Sequence, residues 1–264
     1  MPHYSPLLTV MVAAVRKAGR GLARDFGEIE NLQVSRKGPG DFVSAADHKA
    51  EQVLFEELSK GRPGYGFLME ERGVVDGTDR THRWIVDPLD GTANFLHGFA
   101  HFSISVALER ERELVAGVVY DVVKNEMFTA EKGRGAFCND KRLRVAARTK
   151  LSDALVVTGL AQKSRIGEGR AIAFAEMDRV VAAAGDVRRL GSAALDLAYV
   201  AAGRFDAYWE RHLAPWDVAA GAVLVREAGG HARELDGADF METGSIVAGN
   251  DKLVALVTQT ARGK

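Results

Sequence analysis

The sequence predicts an α+β fold of layered sheets and helices, on the strength of two contrasts along the chain. Its first part has two stretches of helical apolar spacing and then a run of short apolar strands joined by charged or Asn-containing turns. After about Val145 the texture changes to alternation of strand and helix. Helix and antiparallel-strand runs followed by such alternation point to stacked layers built from two halves. We expect an N-terminal α+β half over residues 1–145 and a C-terminal α/β half over 146–264. Only the change of texture marks the seam, because no linker rich in proline, glycine or serine lies there.

Each element has its own signal. Ser5 as N-cap and Pro6 at the first helical position open a helix over 6–26 that stops at Gly27. The apolar run inside it, 7–15, is far short of the roughly 20 residues that span a bilayer. It is followed, not preceded, by Arg16 and Lys17, so it reads as a soluble helix rather than a leader. A second helix follows Ser44, with Ala46, Ala50, Val53, Leu54 and Leu58 as its apolar stripe. Residues 66–69 and 83–87 are strand-like, and 102–108, 114–120 and 126–129 read as consecutive strands. Gly133, Gly135, Asn139 and Asp140 punctuate a further hairpin. Beyond the seam the expected order is strand 155–158, helix 170–184, strand 186–190, helix 192–202, strand 205–209 and helix 215–228. Gly229 and Gly230 end that helix, and two short strands and a helix from about Asp251 complete the chain.

Bulk composition narrows the function. The 264 residues suffice to bury a substantial core without staples. Thirty-five basic residues oppose thirty-six acidic ones, a net charge of −1, so no global field points to nucleic acid or an anionic membrane. Cys138 is the single cysteine, which excludes an internal disulfide and a thiolate zinc cage and suits a reducing cytoplasm. His97 and His101, four apart with Gly98 between them and no zincin glutamate, read as structural.

The chemistry concentrates in Trp84-Ile85-Val86-Asp87-Pro88-Leu89-Asp90-Gly91-Thr92-Ala93-Asn94-Phe95. An apolar strand ends at Asp87, and Pro88, lacking an N–H, forces the chain out of the ladder. Across that bend the Asp87 and Asp90 carboxylates can converge, and the amides of Gly91 and Thr92 at a helix entry could hold an anion. Taken alone, the pair could equally cap a turn. Further acids follow the same logic: Glu70 and Glu71 end a strand-like run, and Asp217 projects from the first turn of a helix after Pro215-Trp216. Asp47 lies three residues after Ser44, where a capping box and a supporting role in catalysis are compatible. Gathered carboxylates repel unless protons or cations neutralise them, and all-oxygen ligation favours a hard ion, Mg²⁺ ahead of Zn²⁺.

Together, Asp41-Phe42-Val43-Ser44-Ala45-Ala46-Asp47, Glu70-Glu71, the Trp84-to-Phe95 segment and Trp216-Asp217-Val218-Ala219-Ala220-Gly221 resemble the inositol monophosphatase family in order and approximate spacing. The resemblance implies the layered α/β/α/β/α sandwich shared with fructose-bisphosphatases. It implies that Glu70, Asp87 and the Leu89 carbonyl bind one Mg²⁺, that Asp87, Asp90 and Asp217 bind a second, and that a third, weaker ion associates with Glu70. Thr92, oriented by Asp47, would help activate the attacking water, and the Gly91 and Thr92 amides would hold the phosphate. On the substrate side, Gly191, Ser192, Ala193 and Glu210 match positions lining a polyol; for Glu210 the alternative is a solvated acid paired with Arg211. Arg188 and Arg189 fit a phosphate-attracting, subunit-contact or ordinary surface role. Two departures stand out. Met69 occupies a position where the family commonly has glycine, so its side chain must point away from the metals or narrow the entrance. Ser44 stands where threonine is frequent. Arg36 and Lys37 both lie near the family's basic position, Lys37 being the better match.

The expected activity is Mg²⁺-dependent hydrolysis of a small phosphate monoester, myo-inositol 1-phosphate first, with lithium inhibition and a cytoplasmic homodimer implied by the resemblance. Fructose 1,6-bisphosphate, histidinol phosphate or a nucleotide 3′-phosphate would keep the chemistry and change the substrate. A phosphatase-like protein that binds another macromolecule is the alternative of a different class.

Overall fold

The computed structural model describes residues 4–28, 34–38 and 41–263, the side chains of 34–38 and 41–44 excepted. The possible cap from Ser44 and the basic position at Arg36 or Lys37 therefore lie outside the described side chains.

Helix α1 (Pro6–Gly27) starts as expected, with the Ser5 hydroxyl accepting from the Leu8 amide at 3.1 Å. Strands β1 (Val34–Gly38) and β2 (Asp41–Ser44) form an antiparallel pair, and β2 runs directly into α2 (Ala45–Gly61). The first large sheet follows: β3 (Tyr65–Met69), β4 (Gly73–Val75), β5 (Asp79–Asp90), then, after the short α3 (Thr92–Leu96), β6 (Ser103–Arg110), β7 (Glu113–Asp121), β8 (Glu126–Glu131), β9 (Gly135–Cys138) and β10 (Lys141–Arg142). Its eight strands lie in the order β10-β9-β8-β7-β6-β5-β3-β4. From residue 155 onward come β11 (Leu155–Thr158), α4 (Gly167–Ala183), β12 (Asp186–Arg189), α5 (Ala193–Ala201), β13 (Ala207–Glu210), α6 (Pro215–Glu227), β14 (His231–Arg233), α7 (Phe240–Thr243), β15 (Ile246–Gly249) and α8 (Asp251–Arg262). The second sheet has five strands, ordered β12-β11-β13-β15-β14.

Three apolar clusters define the layers. One packs α1 and α2 on one face of the first sheet, through residues such as Met11, Leu54, Trp84, Val86 and Val106. A second fills the space between the two sheets, where α5 and α6 meet Ile85 and Ala107 on one side and Val157, Tyr208 and Ile246 on the other. A third joins the far face of the second sheet, Val156 and Trp209, to Val180 of α4 and Leu253 and Val257 of α8. The stack is thus α/β/α/β/α, and each strand sends alternate residues to different layers.

That alternation positions the site. Along β5, Trp84 and Val86 face α1 and α2 while Ile85 faces α5 and α6, so Asp87 falls on the inner face, towards the start of α6. Asp87 pairs with Ser105, whose hydroxyl bonds the Trp216 carbonyl at 3.2 Å and ties the first turn of α6 to this spot. The ladder then slips: Asp90, not Leu89, opposes Ser103. Pro88 sits inside that bulge, where a missing N–H costs nothing. β5 is longer than the expected 83–87, because its polar beginning pairs with β3 and β6.

Candidate metal centre and substrate cavity

The bend after β5 is locally self-supporting. The Asp87 carboxylate accepts from the Leu89 amide at 2.9 Å, and the Thr92 hydroxyl donates to the Leu89 carbonyl at 2.9 Å. Between them Gly91 adopts φ +94°, and a Cβ there would lie 3.1 Å from the His101 carbonyl oxygen and 3.3 Å from that of Gly191. Both backbone conformation and space therefore call for glycine. Asn94, one turn on, donates its amide to the His101 and Leu190 carbonyls at 2.7 and 2.8 Å, which holds the 190–192 loop against the bend.

Two carboxylate groups converge here. Asp87, Asp90 and Asp217 offer oxygens within 4.8 Å of one another, as do Asp47, Glu70 and Glu71. Glu70 of one group and Asp87 of the other act on each other's charge, so the two groups are electrostatic neighbours. Asp90 also accepts from the Ser192 hydroxyl at 2.6 Å and the Ala194 amide at 2.8 Å, serving the first turn of α5 from another element. Asp217 accepts from the Ala214 amide at 2.7 Å, as an acid at the third position of a helix can. Among the described residues no lysine, arginine or histidine forms an ion pair with Asp87, Asp90, Asp217 or Glu70.

Proton affinities reflect this crowding. Burial and then the neighbouring charges of Glu70, Asp90 and Asp217 hold the Asp87 carboxyl well above its ordinary range. Burial, followed by Asp90, does the same for Asp217, and burial raises Asp90 against the pull of its bond to Ser192. Burial together with Asp47 and Glu71 pushes Glu70 up to about 8. A divalent cation would relieve all four at once, and a donor set made only of carboxylate and carbonyl oxygens fits a hard ion such as Mg²⁺.

Over this centre opens a cavity of about 690 Å³, a size suited to a small metabolite. Glu70, Glu71, Asp90 and Asp217 line one part of it, and Gly191, Ser192, Ala193 and Glu210 line another. Lys163, Arg165 and Arg189 add positive charge to the wall. Asp47, Asp87, Leu89, Gly91 and Thr92 are not part of the lining, and Asp47, Asp87 and Leu89 are buried. Met69 is fully buried in the cluster with α1 and α2, so it points away from the carboxylates and leaves the entrance unchanged.

Of the two readings of Glu210, the pair with Arg211 does not form, and Arg211 lies just beyond the end of β13. Arg211 instead bonds Glu176 and Asp236, each at 2.7 Å, on the side of α4 and α8. Glu210 accepts from the Tyr208 hydroxyl at 2.7 Å, and burial pushes its carboxyl up to about 8. His101 makes a buried contact with Asp196 at 3.1 Å, while His97 is exposed. Arg188 pairs with Asp186 at 2.6 Å, whereas Arg189 reaches the cavity. Asn94, Asp196 and Tyr208 are the participants that sequence reasoning passed over. Only Asn94, inside the quoted motif, carried a local signal.

Layers of this order with carboxylates gathered at a strand end belong to a class of metal-dependent phosphoric monoester hydrolases, and comparison with known proteins places the chain in it. The profile of the inositol monophosphatase family matches residues 3–263, and the chain belongs to that family. It is 59% identical to an inositol-1-monophosphatase of Mesorhizobium japonicum over 94% of this chain and 92% of that one. It is 41% identical to the Nus factor SuhB of Escherichia coli K12, over 97% and 96%. The crystal structure of the extragenic suppressor protein suhB from Bartonella henselae superposes with a TM-score of 0.94 at 50% identity, covering 98% of this chain and 99% of that one.

Proposed function

We propose that this protein hydrolyses a small phosphorylated polyol, with myo-inositol 1-phosphate as the leading substrate, using Mg²⁺. The observation that carries the reading is the Asp87–Asp90–Asp217 group within 4.8 Å, without a cationic partner among the described residues. In this reading Glu70, Asp87 and the Leu89 carbonyl hold one ion, and Asp87, Asp90 and Asp217 a second. A third would associate with Glu70, whose neighbours Asp47 and Glu71 support it. Bound there, divalent cations supply positive charge that acidifies water for attack and offsets charge on the leaving oxygen.

The chain's own residues do the rest. The amides of Gly91 and Thr92, at the start of α3, hold the phosphate, and the Thr92 hydroxyl, with Asp47, orients the attacking water. The net reaction adds one water: its oxygen bonds to phosphorus, the ester P–O bond breaks, and the departing alcohol takes up a proton. Gly191, Ser192 and Ala193 shape the wall against the polyol, and Glu210 accepts hydrogen bonds from its hydroxyls. Lithium sensitivity, a cytoplasmic setting and a homodimer belong to the same reading.

Phosphate release from myo-inositol 1-phosphate should be absent in chelator and restored by Mg²⁺ titration. A parallel screen of fructose 1,6-bisphosphate, histidinol phosphate and a nucleotide 3′-phosphate ranks the substrates. Equal release with and without chelator would defeat the metal-dependent reading.

A further inference from the structure

β13 carries the substrate-facing acid on a two-residue lever. Tyr208 and Glu210 lie on the same face of the strand, and the Tyr208 hydroxyl donates to Glu210 Oε2 at 2.7 Å. Tyr208 is completely buried in the central apolar cluster and lines no part of the cavity, whereas Glu210 does line it. The phenol thus reaches the carboxylate from behind. A second constraint comes from β11, the parallel neighbour, in which Thr158 is in register with Trp209 and its hydroxyl donates to the Trp209 carbonyl at 2.5 Å. The chain leaves the sheet at the next residue, Gly159, and passes so close to Glu210 that a Cβ there would sit 2.1 Å from Oε2 and 2.5 Å from Oε1. The three atoms nearest that position all belong to the Glu210 carboxylate.

We infer that Tyr208 and Gly159 are positioning residues for substrate selection: the phenol engages one oxygen of Glu210, and the bare backbone at 159 leaves room for the carboxylate to stand where the other oxygen meets a polyol hydroxyl. The inference rests on the reading of Glu210 as the acceptor of those hydroxyls. Its physical basis is pre-organisation. A free glutamate samples several rotamers, and fixing it before substrate arrives removes that entropy from binding. Buried and outside the cavity lining, the Tyr208 side chain acts on the substrate only through Glu210.

The test compares kcat and KM for myo-inositol 1-phosphate and for phenyl phosphate, which has no hydroxyl for Glu210 to read. The proteins are the wild type, Tyr208→Phe, Gly159→Ala, Glu210→Ala and the Tyr208→Phe/Glu210→Ala double variant, each checked for folding by its melting transition. Tyr208→Phe should lower the kcat/KM ratio of inositol phosphate to phenyl phosphate about two- to tenfold, the range for losing one net hydrogen bond, and mainly through KM. Gly159→Ala, whose methyl group would crowd the same carboxylate, should lower the ratio in the same direction. In the Glu210→Ala background Tyr208→Phe should change the ratio no further, an outcome that mere loss of packing would not produce. If Glu210→Ala lowers the ratio but Tyr208→Phe and Gly159→Ala leave it intact, the positioning role is wrong while the reading of Glu210 stands. If Glu210→Ala itself leaves the ratio intact, that reading fails and takes the inference with it.

Discussion

The molecule buries acids in two different ways. At Asp121 the fold supplies everything the charge needs: the Lys124 amide at 2.9 Å, the Lys124 ammonium at 3.0 Å and the Tyr199 hydroxyl at 2.9 Å. Asp206 likewise receives the Leu155 amide and the Arg148 guanidinium, and Glu176 receives Arg211. At Asp87, Asp90 and Asp217 the fold supplies amides and a hydroxyl and, among the described residues, no cation. Acids of the first kind are complete in the folded chain. Acids of the second kind are held apart from water and next to one another, and only a proton or an outside cation completes them. A protein that supplies counterions to some of its buried acids and, among the described residues, none to these leaves this place open to an outside cation.

The comparison is most severely tested by Asp87→Asn. Removing one ligand from the shared centre should reduce metal-dependent phosphate release by about a thousandfold or more, and it should raise the melting temperature of the cation-free protein by easing repulsion. Near-wild-type turnover would break the contrast. Asp121→Ala should do the converse. It strands the Tyr199 hydroxyl and an amide, costing about 1–3 kcal/mol in urea unfolding, while activity per folded molecule is kept. The smallest effect is the pH dependence of the cation-free protein. An acid whose proton affinity rises on folding stabilises the fold fully below its unfolded pKa, and that contribution is lost as pH rises through the folded value, about 8 for Glu70. Asp87 and Asp217 shift in the same direction. Melting temperature should therefore fall by a few degrees between about pH 5 and 8, and saturating Mg²⁺ should reverse the slope. A rise without metal over that window would show that these acids are satisfied internally.

The contrast also explains which features could be read from the sequence. Strand ends, the proline bend and the acids beside it are local: Pro88 forces a bulge in any sheet, and Asp87 and Asp90 flank it. The layered fold was legible for the same reason, since helical and alternating periodicities are written in consecutive residues. Even so, the polar start of β5 escaped notice, because its strand character comes from partners in β3 and β6 rather than from its own pattern. The fixed geometry of the substrate side was hidden more deeply. Asp196 meets His101 across 95 residues of chain, and Asn94 reaches Leu190 across 96. The two readings of Glu210, a wall of the polyol side or a pair with its neighbour Arg211, could not be separated by adjacency; Arg211, just beyond β13, turns instead to Glu176 and Asp236.

Asp90 has a consequence for how the protein answers to its surroundings. The same carboxylate completes the first turn of α5, a helix packed between both sheets, and faces the cavity beside Asp87 and Asp217. An ion seated there would act as a rivet through the middle of the stack, drawing on a group to which the helix is already fastened. Stripping the ion with a chelator would then loosen the joint between the two sheets as well as silence the chemistry, so that ionic supply sets mechanical firmness and turnover together.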